Sequence, residues 1–384
     1  MNEQTHSLIQ TIHDSPTQLM LVAAGAGTLA LSNILGVAGA SRTLLEALVP
    51  YSAAAFDEFL SYTPEQYVAP KTAKLLAGRA LTRARWLRQD DGPVVGLACT
   101  ATVVTDRPKR GEHRAYIAMW QPEKMICFGL HLQKGARDRQ GEEGLVSGVM
   151  LHALAQGCGV PNGIVFPLTH GDELATDVQD FTMAAQQLQQ ETIPFFGVLA
   201  HGVICGEGER PSVLLPGAFN PLHSGHLGMA RAAGEVMGQR IAFEVSAANV
   251  DKPPLEPEVL VARLAQFAGR YAVYATYAPT FLQKARLFPG VTFVVGFDTA
   301  VRLLHPRYYQ NSVEQMEAAL AEMEQLSCRF LVAGRVNGDG RFQELTDLPI
   351  PARYQHLFQA IPGELFREDI SSTHLRATGR KGAR

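Results

Sequence analysis

The sequence predicts an α/β protein in two parts: a doubly wound parallel sheet in the C-terminal half, and a separate α/β domain before it. Three observations predict this. Short apolar runs alternate with helical stretches through residues 211–333, as in parallel strands joined by crossover helices. The run Val213-Leu214-Leu215 enters a Pro216-Gly217 turn and then a helical pattern in which Leu227, Ala230 and Ala233 share one face. The first 165 residues or so mix helical periodicity with β-rich runs such as Val94-Val95 and Val103-Val104. A chain of 384 residues also exceeds one ordinary core.

The elements follow in order. Residues 5–13 read as a leading helix, 19–23 as a strand and 29–35 as a buried helix. Residues 17–41 carry no charge and are long enough to span a bilayer. Gly25, Gly27, Gly36, Gly39, Thr28, Ser32 and Asn33 interrupt them, and no basic residue precedes Arg42, so no membrane span is expected. A helix capped by Ser41 is expected over 41–46. Helices at 53–60 and 68–86, a β-rich stretch at 93–105, strands at 115–120 and 125–130, and a helix at 142–156 complete the first part. The Gln-rich residues 174–190 read as helical. The β-like run 192–204 belongs to the connecting segment or adds an edge strand to the first domain. Gly206-Glu207-Gly208-Glu209-Arg210-Pro211 is the best linker, which gives domains at 1–168 and 211–384 and a connection at 169–210. Beyond it, strands are expected at 213–215, 241–246, 271–276, 291–296 and 329–333. Helices are expected at 259–268, 281–287 and 312–326, the last with a Ser312/Gln315 capping box.

Composition narrows the function. A net charge of -3 argues against a broad nucleic-acid-binding face. The five cysteines are scattered without a CxxC pair, so neither a disulfide framework nor a protein-held metal is expected. A reducing, cytoplasmic setting fits them. Homo-oligomerisation stays open.

The chemistry concentrates at the ends of the expected parallel strands, where such sheets bind ligands. After the first strand, a glycine turn leads into a helix start carrying His223 and His226, a geometry that presents N–H groups to phosphate. Near the end of the chain, Ile370-Ser371-Ser372-Thr373-His374-Leu375-Arg376 sets hydroxyls at a helix start with Arg376 one turn in, a second anion site. Lys252 follows the second strand, and is either a phosphate ligand or a surface lysine before Pro253-Pro254.

Gly217-Ala218-Phe219-Asn220-Pro221-Leu222-His223-Ser224-Gly225-His226 together with residues 370–376 resembles the HxGH/ISSTxxR nucleotidyltransferases. Val295-Gly296-Phe297-Asp298-Thr299 and Arg302-Leu303-Leu304 look most like the nicotinamide and nicotinate mononucleotide adenylyltransferases among them. The resemblance implies a Rossmann-like fold and transfer of AMP from ATP, with Mg²⁺, to a pyridine mononucleotide. His223, His226 and Arg376 would be catalytic. Gly217, Ala218, Phe219, Asn220, Gly225, Ser371, Ser372 and Thr373 would bind ATP. Asn249, Lys252, Gly296 and Asp298 would meet the acceptor, with Phe297, Tyr308 or Tyr309 in place of the usual tryptophan. CTP or another phosphate acceptor, and a non-catalytic nucleotide-binding role, are the alternatives.

The first part resembles the C-terminal domain of the CinA family, the nicotinamide-nucleotide amidases, over residues 22–52 and over GLACTATVVTDRPKRGEHRAYIA. That family carries a Ser-Cys-Thr-Gly-Gly run and a Tyr-Ser-Asn motif followed closely by Lys. Here Ala24 and Ala26 stand at the serine and threonine positions, and Ala53-Ala54-Ala55-Phe56 follow Tyr51-Ser52. Alanine has no hydroxyl to attack a carboxamide, so the resemblance implies the fold without the amidase activity. The basic residues 107–114 are a solvated hairpin tip or a phosphate holder for a nucleotide sensor.

Overall fold

The computed structural model describes residues 1–106, 110–248, 253–337 and 339–367. They fall into two compact units. The first comprises the described residues of Met1–Thr182 with Ala200–Val203 and Ala265–Arg270; the second comprises Met183–Leu199, Ile204–Leu264 and those from Tyr271 onward.

The first unit runs α1 (Glu3–Asp14), β1 (Gln18–Ala24), α2 (Thr28–Leu35), α3 (Ala40–Thr43), β2 (Leu44–Leu48), α4 (Ala53–Leu60), α5 (Pro70–Leu87), β3 (Val94–Thr102), β4 (His113–Trp120), β5 (Lys124–Leu132), α6 (Arg139–Gly157) and β6 (Glu173–Asp180). Its sheet has the order β2-β1-β3-β4-β5-β6, parallel across the first three strands and antiparallel beyond. Leu19, Leu21 and Ala23 of β1 share a core with Ile9, Ala30 and Val149 of α1, α2 and α6. Helix α5 packs on β1, β3 and β4. A strand covered on both faces reads as one unbroken apolar run, which is why 17–41 imitates a membrane span. No helix among the described residues is long and apolar enough to cross a membrane.

Two expectations are corrected here. The helix expected over 41–46 stops at Thr43, begins after Gly39 rather than at a Ser41 cap, and passes into β2, paired in parallel with β1. The first half of the helix expected over 174–190 is β6, whose residues from Glu173 to Asp180 pair antiparallel with His131 to Lys124 of β5. Both are sheet edges, where partly exposed residues blunt the alternation that marks a strand. Only the second half of that stretch is helical, as α7 (Phe181–Gln189), which runs through the point of division.

The second unit continues with β7 (Phe195–Val198), β8 (Ile204–Cys205), β9 (Val213–Pro216), α8 (Ser224–Met237), β10 (Ala242–Ser246), α9 (Pro257–Leu264), β11 (Val273–Thr276), α10 (Phe281–Leu287), β12 (Thr292–Gly296), α11 (Phe297–Leu303), α12 (Val313–Gln325), β13 (Arg329–Ala333), β14 (Arg335–Val336), β15 (Phe342–Gln343) and β16 (Phe358–Ile361). Its main sheet has the order β16-β13-β12-β9-β10-β11-β7-β8. The six strands from β16 to β11 are parallel, so the expected doubly wound sheet is present. Counted in chain order they lie 6-5-4-1-2-3, with the switch in direction between β9 and β12.

The five expected strands form, and β16 adds a sixth. The run 192–204 yields β7, antiparallel to β11, and β8, antiparallel to β7, which extend this second sheet rather than edging the first. The Ser312/Gln315 box is half made. Ser312 Oγ accepts the Gln315 N–H at 3.1 Å, but the Gln315 side chain donates to Gln310 instead.

Candidate functional site

The turn after β9 is shaped by one missing side chain. A Cβ on Gly217 would lie 2.6 Å from the Phe219 ring, so only glycine fits. Phe219 itself is buried at φ +42°, and its ring meets the edges of His226 and Phe243 at centroid distances of 4.9 and 5.4 Å. Phe219 therefore packs against His226 from within the core.

Helix α8 starts at Ser224 with His223 as its N-cap. The His223 backbone N–H donates to His226 Nδ1 at 3.3 Å. A neutral imidazole that accepts at Nδ1 carries its proton on Nε2, so this bond assigns His226 as an Nε2–H donor. The two rings stack with centroids 3.6 Å apart and planes inclined by 26°. Burial, and then the neighbouring His223, lower the His226 pKa to about 3 from the ordinary 6.5; burial lowers that of His223 as well. His223 Nδ1 is buried without a hydrogen-bond partner among the described residues.

A stability prediction follows from the sign of these shifts. Between about pH 6.5 and 3 the unfolded chain holds a proton on His226 that the folded chain lacks, so stability falls as pH falls through that window. In urea titrations, His226→Gln is expected to flatten the loss of stability between pH 6.5 and 4. An unchanged slope would show that the ring titrates normally in the fold.

The histidines line a cavity of about 280 Å³ at the switch point, between the carboxyl ends of β9 and β12. Gly217, Gly225 and Met229 come from the β9–α8 side; Gly296, Phe297, Asp298 and Thr299 come from the β12–α11 side. Arg335, two residues past β13, forms part of the wall and is ion-paired with Asp298. Both side chains are about half exposed, and such a pair is worth at most about 1 kcal/mol. A phosphate can therefore draw Arg335 away at little cost. Ser224 and Gly225 open α8, and the first N–H groups of a helix are the ones that can turn toward an anion.

Of the residues selected from sequence, Gly217, His223, Gly225, His226, Gly296 and Asp298 are brought together in this cavity. Ala218, Phe219 and Asn220 do not line it: Phe219 lies beneath, and Ala218 and Asn220 are exposed. Asp298, selected to meet the acceptor, is engaged by Arg335. Of the aromatic candidates Phe297 lines the cavity, whereas Tyr308 and Tyr309 do not, and the Tyr309 hydroxyl donates to Leu303 O at 2.9 Å. Asn249, Lys252, Ser371, Ser372, Thr373 and Arg376 lie outside the described residues. Arg335 and Phe366 were missed. The position of Arg335 just past a parallel strand was the signal that could have found it.

In the first unit, Ala24 and Gly25 line a second cavity of about 290 Å³ with Tyr51, Ser52, Phe56, Tyr67 and Thr100. Ala26 is buried and is not part of its wall. The adjacent N-terminus of α2 is already filled from within. Glu143 Oε1 accepts the N–H groups of Gly27 and Leu29 at 2.9 and 3.0 Å and the Thr28 hydroxyl at 3.2 Å. Ser147 Oγ takes the Ala30 N–H at 3.1 Å. This carboxylate stands where a helix start would hold a bound anion. Glu143→Ala leaves two N–H groups without that acceptor and is expected to destabilise the protein by about 2 kcal/mol. Glu143→Gln, which keeps an acceptor oxygen, should cost less than half of that in a denaturation series.

No family model and no curated protein matches the chain. Among solved structures, it is similar to the competence/damage inducible protein CihA from Agrobacterium tumefaciens at 15% identity, over 41% of this chain and 97% of that one, with a TM-score of 0.35. It is similar to a competence-damaged protein (CinA) superfamily protein from Escherichia coli at 19% identity, over 40% and 87% of the two chains, with a TM-score of 0.33. A CinA superfamily protein from Klebsiella pneumoniae gives 13% identity over 41% and 99%, with a TM-score of 0.35.

Proposed function

We propose that the second unit transfers the adenylyl group of ATP to nicotinamide or nicotinate mononucleotide and releases pyrophosphate. The observation that carries the reading is the stacked, neutral His223–His226 pair at the start of α8, lining a cavity at the switch point of a parallel sheet. The sequence motifs at 217–226 and 370–376 add the resemblance to nucleotidyltransferases.

The chemistry asks little of the protein beyond alignment and charge stabilisation. An oxygen of the acceptor phosphate attacks the α-phosphorus of ATP. The bond from that phosphorus to the bridging oxygen breaks, and the electron pair leaves with pyrophosphate. The attacking phosphate is already ionised, so no general base is needed. Negative charge builds on the α-phosphate oxygens, where the His226 Nε2–H and the first N–H groups of α8 can donate. His223, Arg335 and, in the resemblance, Ser371, Ser372, Thr373 and Arg376 serve the remaining phosphates. Mg²⁺ carried by ATP would supply charge neutralisation of the triphosphate, while the chain's own donors hold the phosphates in line.

The test is pyrophosphate release from ATP with each mononucleotide in turn, and from CTP as the alternative donor. Release with neither pyridine mononucleotide sinks this reading.

A further inference from the structure

The sheet of the first unit ends in an edge strand that carries few of the usual defences. Natural edges are short, bulged, or guarded by Lys or Pro. The other three edges of the two large sheets follow that rule: β8 has two residues, β16 has four, and β2 has five with a shift in its register against β1. By contrast β6 spans eight residues, keeps one unbroken register against β5, and contains no Lys, Arg or Pro. Among the described residues it has a strand on one side only.

The direction of its backbone groups follows from the bonds at the end of the ladder. Along an antiparallel strand, successive residues turn their N–H and C=O groups to opposite sides. The Phe181 N–H donates to Glu123 O at 2.9 Å, one step past the pair of Lys124 with Asp180. The odd-numbered residues of β6 therefore bond to β5, and Leu174, Thr176 and Val178 turn their groups to the open side. The hairpin bond from the Gln121 N–H to Lys124 O at 3.0 Å gives the same parity from the other direction: even-numbered residues of β5 face β4, so its odd-numbered ones face β6. The side chains of Leu174, Thr176 and Val178 share a face with Leu130, Phe128 and Ile126 opposite them, which belong to the buried core. Leu174 packs against that core, whereas Thr176 is exposed and Val178 is 54% exposed.

We propose that two copies of the chain pair through β6, antiparallel about a two-fold axis at Thr176. Parity lets the outward-turned residues oppose only one another. An axis at Asp177 would set two carboxylates face to face, and one at Ala175 would set Val178 against Asp172. The axis at Thr176 sets Thr176 against its own counterpart and Leu174 against Val178 of the second copy. Each such pair exchanges both backbone bonds, and the apolar and hydroxyl pairs favour association. On the other face Ala175 meets Asp177 and Glu173 meets Gln179 of the second copy. The strand's own charge is already reduced: Asp177 is ion-paired with the buried Lys74. Asp172, the one carboxylate this register sets opposite another, Asp180, is neutralised by Arg137 at 2.6 Å. The same strand serves both copies, so the contact closes at two.

Sedimentation velocity of the full chain over a range of concentrations tests this, together with hydrogen exchange resolved to single residues. A reversible monomer–dimer equilibrium is expected. The amides of Thr176 and Val178 should gain protection as the dimer forms, whereas those of Ala175 and Asp177, already bonded to β5, should not change. Thr176→Pro removes only an outward N–H, which an edge strand tolerates, and should weaken dimerisation by about tenfold or more. Thr176→Asp sets two carboxylates at the axis and should do the same, and it keeps the test decisive where proline disturbs β6. Thr176→Val should leave the dimer intact. The proposal is overturned by a chain that stays monomeric up to its solubility limit, by a dimer that survives Thr176→Asp or a folded Thr176→Pro, or by a dimer that forms without protecting Thr176 and Val178.

Discussion

Replacing His226 with alanine is expected to lower pyrophosphate release by at least a hundredfold, with most of the loss in kcat. Loss of one preorganised donor to a developing oxyanion costs about 10²–10³ in rate, and His226 is preorganised in three ways. The His223 backbone N–H fixes its tautomer. Phe219 meets one side of the ring, and His223 stacks on it. Its low pKa keeps it a neutral donor at pH 7, so its contribution grows with the charge it meets rather than with ground-state attraction. A loss confined to KM would instead mean that the ring only binds the triphosphate. Turnover equal to that of the unaltered protein would remove His226 from the mechanism altogether.

Lys284→Met is expected to be the most destabilising single change in the second unit, at about 3–5 kcal/mol. Lys284 donates to Glu244 Oε1 at 2.6 Å, and Thr276 donates to the same oxygen at 2.6 Å. Both members of the ion pair are buried, Glu244 completely. Glu244 Oε2 has no hydrogen-bond partner among the described residues, so removing Lys284 leaves the carboxylate with one hydroxyl donor there. The double change Glu244→Gln with Lys284→Met should recover most of the loss, because the cost lies in the unpaired charge and not in the missing contact. Urea midpoints of the two variants check this. A single variant as stable as the double one would mean that water reaches Glu244. The same residue supports the site, since the Glu244 carbonyl accepts the Gly217 N–H at 2.9 Å.

Much of the second unit was legible because its signals are local. The strands β9 to β13 are short apolar runs bounded by turns, and the period of α8 begins at the residue where the helix begins. The histidine pair was legible for the same reason: three residues of spacing at a helix start place both rings on one rim. Edge strands were not. The strand β2 continues a helical-looking segment, and β6 is polar on much of its length; each is a strand only because β1 or β5 offers its free backbone groups. The placement of β7 and β8 likewise depended on which sheet had an open edge.

The sequence by itself therefore determined five of the six parallel strands in the second unit, and where a glycine turn, two imidazoles and a helix start come together within ten residues. It also determined that the first unit lacks a hydroxyl at position 24. Tertiary structure alone decided the strand order, and with it that Gly296, Asp298 and Arg335 face the histidines across the switch point. It alone decided that Arg335 is held by Asp298, and that Glu143, 116 residues away along the chain, fills the start of α2. The physical reason is the range of the forces that set each feature. Turn geometry, capping and amphipathic period act over a few neighbouring residues and can be read along the chain. Strand pairing and the filling of an anion seat depend on groups brought close only when the sheet assembles.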